Sequence, residues 1–457
     1  MSKNIQLVPR WRAISNVFNF LENPIPVLTS FLEDYGETFH FYAGAMTKSM
    51  VTTNPTIIQH VLQKNHRNYK KTPIQTEKLA RFAGKGLLTS EGAYWLQQRR
   101  LIQPGFHRHK IASLADIINE VIIQSFDEFD KYAKSQQSFD MAHVMMEVAF
   151  KAVAKSLFGT SVNDDEINVL ADNLTEIQEY FVKEVRQPYL NWYFQLSGIQ
   201  KAKILLAGES KQIILRIINE RRNSNESHDD LLDMLLSSRY EDTGEGMTDQ
   251  QLLDEALIIF VAGHETSANA LAWFFYVIAN QPNELKKLRD EAQSILNNSS
   301  TGQKNNTPTF QDLPKLEYGK WCIEEAMRLY PPAWITDRVA LEDDEVDGIF
   351  IPKGMVVVPF IYGTHHSKNL WEKPEQFIPE RFSKENKKQR PNYAYLPFGG
   401  GPRLCIGNNF AMMEMQLIIT NLLQRYNFEV VKEHVVKVKP MITLRPKNGI
   451  MMKVEKR

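Results

Sequence analysis

Two cysteines in 457 residues, Cys322 and Cys405, are too few for a covalent scaffold. Neither belongs to a CxxC pair, which argues against a disulfide framework or a structural zinc site and leads us to expect a reducing, intracellular setting. Charge of one sign is also lacking, because 54 Lys and Arg face 54 Asp and Glu. No global field draws nucleic acid or an anionic membrane to such a chain, so any electrostatic partner site must be a local patch. An apolar run long enough to span a bilayer is missing at the N-terminus, where Arg12, Asn16 and Asn19 interrupt the short hydrophobic stretches. We therefore expect a cytoplasmic protein with neither nucleic acid nor membrane as partner.

What is present is enough apolar residue, 43% against 24% charged, to bury a large core. Length alone permits one large domain or two to three ordinary ones. Up to about Phe106 the chain mixes extended runs such as GETFHFYAG and KSMVTTN with short helices. From Ile111 to about Arg222 apolar residues recur every three or four positions, the amphipathic helix period. Residues 254–281 are apolar on nearly all sides and stop before Pro282, which predicts a central buried helix. The polar stretches NSNESHDD and NNSSTGQKNNTPT read as exposed loops. Beyond Pro331 come short strands, IFIPKG and MVVVPFI, then a Gly-rich stretch to Cys405 and a last helix, NNFAMMEMQLIITNLLQRY.

Four constellations carry chemistry. The segment Phe398-Gly-Gly-Gly-Pro-Arg403-Leu-Cys405-Ile-Gly407 sets one cysteine in a glycine-rich loop just before a helix. Backbone N–H groups there can point at sulfur, and the positive helix end is expected to lower the thiol pKa toward a metal-binding thiolate. The run lacks the Gly-Lys-Ser/Thr ending of a nucleotide loop. Glu325 and Arg328, at i and i+3, share one helix face and can pair. Ala262-Gly263-His264-Glu265-Thr266 puts a carboxylate and a hydroxyl inside an apolar helix, where each needs a partner. A zinc-peptidase reading of His264-Glu265 fails because Ala268 stands where the second histidine belongs. Trp95 and Arg99 lie one helical turn apart, so indole N–H and guanidinium can meet one carboxylate. His365 and His366, in a predicted loop, read as structural residues.

The cysteine segment resembles the haem-binding loop of the cytochrome P450 family, Phe-x-x-Gly-x-Arg-x-Cys-x-Gly, with every fixed position present. The other three motifs follow in the family's order, so the resemblance covers nearly the whole chain. It implies a mainly α fold with small β-sheets, a helical prism around a buried haem, as a single domain over 1–457 with no fused reductase. It implies Cys405 as the axial iron ligand, the role in which a thiolate pushes electron density toward O–O cleavage. Trp95, Arg99, Arg338 and Arg403 are expected to hold the haem propionates, with Lys70 a further candidate, and Phe398, Gly407 and Ala262 to border the haem. Glu265 and Thr266 would deliver protons to dioxygen. Glu325, Arg328 and Arg381 would form a buried charge network behind the cysteine loop.

By the same resemblance the cofactors are haem b and O2, with electrons from NAD(P)H through a separate ferredoxin and reductase, and the protein is expected to be a monomer. The reaction implied is insertion of one oxygen atom into a C–H bond of a small organic substrate. Where that carbon bears an ether oxygen the outcome is O-demethylation, for instance of a methoxy sugar. Peroxygenase, isomerase or haem-sensor roles are the alternatives, and the Glu265-Thr266 pair argues against them. Pocket segments are expected at 72–88, 176–193 and 333–336, with Val261, Thr336 and Trp334 as substrate contacts, the indole offering a flat stacking surface. Arg100, Arg108, Lys110, Lys384, Lys387, Lys388 and Arg390 form a candidate docking face for an acidic ferredoxin.

Overall fold

The computed structural model describes residues 5–43, 47–224, 228–297 and 307–457. Helices dominate it, with four small sheets. The helices that matter for the site are α1 (Gly92–Ile102), α2 (Met141–Phe158), α3 (Asp164–Arg186), α4 (Ile199–Asn223), α5 (Asp249–Ala279), α6 (Glu317–Leu329) and α7 (Asn408–Arg425). Helix α5 begins five residues earlier than the apolar run suggests. Thr248 and Gln251 form a capping box that satisfies the first orphan amides, so polar residues extend the helix outward. Its flank packs on α2, where the Phe150 ring meets Phe260 edge-on at 4.8 Å and His264 at 4.7 Å. Aliphatic and aromatic side chains from α2, α5, α6 and α7 share one continuous core.

The largest sheet has five strands: β1 (Thr38–Ala43), β2 (Thr47–Thr52), β3 (Tyr69–Lys70), β4 (Arg338–Ala340) and β5 (Val356–Pro359), in spatial order β1-β2-β5-β4-β3. Ser49 pairs with Val356 in the single parallel ladder, and Arg338 sits opposite Val357. A hairpin of β6 (Val438–Pro440) and β7 (Leu444–Pro446) lies against α5, where Trp273 donates its indole N–H to the Leu444 carbonyl at 2.9 Å. Among the described residues no helix is long and apolar enough to cross a membrane. Most of NNSSTGQKNNTPT, and residues 225–227 of NSNESHDD, lie outside the described residues. The two histidines expected in a loop instead belong to a short helix, Ile361–His365, and its cap His366. Packing on Tyr362 and Tyr395 buries them more than sequence polarity suggests.

Candidate haem site

Cys405 sits two residues before the N-cap of α7's first turn. Its backbone N–H donates to the Phe398 carbonyl at 3.0 Å, closing the loop back on itself. Gly401 has φ +67°, and a side chain there would overlap the Leu62 carbonyl, so glycine is required. Gly407 has open space where a Cβ would stand. The Cys405 side chain is open to solvent although protein crowds its wider surroundings, which together describe a recess. Contrary to the sequence expectation, its thiol pKa is pushed up. Burial outweighs the Gly407 N–H and the Arg99 charge, which both pull it down. A bound cation reverses that balance, since coordination deprotonates a thiol outright. Cys322, the other cysteine, is fully buried inside α6, with its thiol pushed well up by burial.

Behind the loop, Arg328 and Glu325 are both wholly buried. Arg328 grips the carboxylate with Nε at 2.7 Å and a second guanidinium nitrogen at 2.9 Å, and Arg381 adds a contact at 3.3 Å. The remaining Arg328 donors go to the carbonyls of His365 at 2.8 Å and Gln376 at 3.2 Å. His365 Nε2 in turn accepts from the Leu396 N–H at 2.8 Å, at the start of the cysteine loop. Burial holds His365 well below its ordinary pKa, so the ring is neutral and free to accept.

In front of the loop lies a second group of cations. Arg403 covers the Trp95 ring at 3.6 Å and pairs with Glu91 at 2.6 Å. Arg338, on β4, is buried and donates to the Asp337 carbonyl at 2.6 Å and to Thr336 Oγ1 at 3.3 Å. Arg99 sits one turn from Trp95 in α1 and makes no ring contact with it, the Trp95 face being covered by Arg403. Arg99 turns to the Leu404 carbonyl at 2.9 Å, next to Cys405. Lys70 points to solvent, and Lys71 is the buried one. Alternation from the buried Tyr69 is the signal that marks Lys71. Burial, then Arg403 and Arg338, lower Lys71 to about 7, against the pull of Glu91 and Asp337.

Along α5, Ile259, Ala262, Gly263 and Thr266 keep accessible surface while most neighbours are buried, and their i, i+3, i+4, i+7 spacing makes them one stripe. Thr266 Oγ1 donates to the Ala262 carbonyl at 2.8 Å. Successive helix residues point about 100° apart, and Glu265 accordingly turns away, toward the β6–β7 hairpin. There its Oε1 accepts from Arg445 Nε at 2.5 Å and from the Thr443 hydroxyl. Burial alone would raise the Glu265 pKa, but Arg445 and Thr443 outweigh it and the net shift is down. The expected acid–alcohol pair is thus split between two faces, and Arg445 is a partner that sequence reasoning missed.

Two of the three expected substrate contacts, Trp334 and Thr336, are engaged by protein. Trp334 is 6% exposed, packs edge-on to Phe360 and spends its N–H on the Met441 carbonyl at 3.0 Å, leaving no face for stacking. Thr336 serves Arg338, whereas Val261 is half-buried and keeps accessible surface, as Ile259 does. The basic docking face is also thinned. Lys384 and Lys387 pair with Glu317 and Glu324 at 2.9 Å each, Arg390 lies on the rings of Trp371, Phe382 and Tyr395, and Arg108 lies on Phe310.

One open thiol and a cationic cluster around an indole suit a dianionic planar cofactor that supplies the other metal ligands itself. Among the described residues no three His, Cys, Asp or Glu side chains gather to hold a bare metal ion, whereas a haem needs only one protein ligand and cations for its two propionates. Fold and site therefore define a thiolate-ligated haem protein. A model of the family "Cytochrome P450" matches residues 6–454, and the chain belongs to the cytochrome P450 family. It is similar to "Putative cytochrome P450 132" of Mycobacterium bovis, 32% identical over 87% of this chain and 86% of that one. It is also similar to cyclooctat-9-en-7-ol 5-monooxygenase of Streptomyces melanosporofaciens, 30% identical over 88% and 84%. A third relative is the ultra-long-chain fatty acid omega-hydroxylase of Homo sapiens, 29% identical over 91% and 80%. The chain is accordingly a haem-thiolate monooxygenase that uses O2 and electrons from a redox partner.

Proposed function

We propose that residues 1–457 form a single haem domain, a cytoplasmic monomer, that hydroxylates a C–H bond of a small, largely apolar molecule. Haem b is the cofactor, and a separate ferredoxin with its reductase brings electrons from NAD(P)H. The observation that carries this reading is the open Cys405 thiol with Arg403 of the same loop stacked on Trp95. When bound, the haem supplies reductive activation of O2 and transfer of one oxygen atom to carbon. Cys405 holds the iron, while Arg403, Arg338, Arg99, Lys71 and Trp95 orient the propionates.

The accessible α5 stripe, Ile259 and Ala262 with Thr266, gives the substrate an apolar wall with one hydroxyl in it. The Thr266 hydroxyl, whose one hydrogen goes to the Ala262 carbonyl, keeps its lone pairs to hold a water that carries the proton toward the oxygen. Glu265, held through Oε1 by Arg445 and Thr443, faces the hairpin and leaves the proton step to the Thr266 face. The methyl-ether reading rested on Trp334 and loses its support with that indole packed away. Replacing Cys405 by Ala abolishes the thiolate-type spectrum of the reduced carbon monoxide complex, while Cys322→Ala keeps it. Turnover requires both O2 and NAD(P)H-derived electrons. Full activity from peroxide alone would instead establish a peroxygenase.

A further inference from the structure

Two adjacent carboxylates on the outer half of α5, Asp254 and Glu255, belong to neither the charge network nor the cationic cluster. Both are buried, Glu255 completely. They do not pair with cations but accept backbone amides of the segment 84–91. The Lys85 N–H reaches Asp254 Oδ2 at 2.8 Å, and the Leu87 N–H reaches Glu255 Oε2 at 3.0 Å. Two glycines allow this approach. At Gly84 (φ +79°) a side chain would overlap the Asp254 carboxylate, and at Gly86 a Cβ would lie 2.7 Å from Glu255 Oε2. Thr89 closes the segment on itself by donating to the Gly84 carbonyl at 2.6 Å.

The other edge of this strap is held by the haem-facing cations. Lys71 Nζ donates to the carbonyls of Leu87 and Leu88. Arg403 donates to the Ser90 carbonyl at 3.0 Å and pairs with Glu91, whose second oxygen accepts the Lys71 backbone N–H at 3.1 Å. The strap is thus suspended between carboxylates of the central helix on its amide side and the cationic cluster on its carbonyl side. Glu255 Oε1 has no hydrogen-bond partner. A carboxyl spent on one backbone amide, with its other oxygen buried and unpartnered, costs free energy, which the protein recovers only if the strap's position matters.

We infer that Asp254 and Glu255 are positioning residues for the haem: acting through the strap 84–91, they fix where Arg403 and Lys71 present their charges to the propionates. Glu255 lies three turns from Thr266 on one helix, so the strap also ties the proton-handling stripe to the loop that carries Cys405. The inference rests on Arg403 and Lys71 holding the propionates. Burial, with Asp254 adding to it, raises Glu255 to about 7, so glutamine is a close substitute for its protonated form, and alanine is not.

Lys85 is exposed within the strap and gives a trypsin site that reports its hold. In the holoenzyme, Glu255→Ala is expected to raise cleavage after Lys85 and to speed haem transfer to apomyoglobin by roughly 10-fold or more, as loss of an outer support of a metal site does. Glu255→Gln, which keeps an acceptor for Leu87, stays near wild type in both readouts. Should the alanine variant not fold, Gly86→Ala displaces the same carboxylate from the strap side and gives the same pair of readouts. Unchanged haem transfer in Glu255→Ala, a glutamine variant as impaired as alanine, or cleavage rising at many sites instead of after Lys85 would each overturn the inference. Arg403→Ala and Lys71→Met separate the two readings. If haem transfer is unchanged in both, the propionate assignment itself falls, whereas slower trypsin cleavage after Lys85 on haem binding with these cations intact supports strap and assignment together.

Discussion

Two groups of arginines flank the cysteine loop, and they differ in balance. Behind the loop, Arg328 and Arg381 share Glu325, and their spare donors end on the carbonyls of His365, Gln376, Glu372 and Lys373. Everything that group needs is supplied by protein. In front of the loop, Arg99, Arg338, Arg403 and Lys71 meet only two carboxylates, Glu91 and Asp337, and the Asp337 carboxylate is occupied by the Thr72 amide and Gln75. Burial pulls Arg403 down to about 10 and Lys71 to about 7. A closed set of partners marks a structural core, and a buried surplus of one sign marks a place where a ligand of the other sign belongs.

This contrast breaks first at Glu325. Glu325→Ala strands two guanidinium groups and is expected to cost about 3–5 kcal/mol, read as a lower urea midpoint of the apoprotein with haem incorporation lost. Removing a cation from the front group acts on the ligand instead. Arg403→Ala should leave the apoprotein's urea midpoint within ~1 kcal/mol of wild type while weakening haem retention by about 10–100-fold, checked by transfer to apomyoglobin. Equal stability losses in these two variants would erase the distinction between the groups.

A smaller effect follows from Lys71. The unfolded chain keeps its proton there up to about pH 10.5, the folded apoprotein only up to about 7. Between those values unfolding takes up a proton, so this group makes stability rise with pH, by at most ~1.4 kcal/mol per pH unit, and below pH 7 its penalty is fully present. The wild-type apoprotein should therefore gain on Lys71→Met between pH 7 and 9 in urea titrations, and the difference should shrink once haem occupies the site. Lys70→Met is the smallest case. Because that side chain faces solvent, haem retention should stay within about twofold of wild type, and stability should change by no more than ~0.5 kcal/mol.

Much of this was legible in the sequence because it depends on local spacing. Glu325 and Arg328 pair because three residues of helix bring them to one face, and the loop around Cys405 needs its glycine where the backbone has φ +67° and presses on Leu62. The buried length of α5 followed from its apolar run, and only its polar first turn was missed. Where the reading failed, the deciding partner lies far along the chain. Glu265 is claimed by Arg445, 180 positions away, and Trp334 by Met441, 107 away.

The sequence by itself determined the glycine-rich loop that carries Cys405, the closed charge pair and the helix that carries Thr266, because each is a matter of residue type at fixed short separation. Only the tertiary structure decided that Lys71 and not Lys70 turns inward, that Glu265 and Thr266 part company, and that a strap links α5 to Arg403. Those outcomes depend on the rotational phase in which α5, β3 and the β6–β7 hairpin dock. That phase is set by packing summed over the whole core and not by the residues whose direction it fixes.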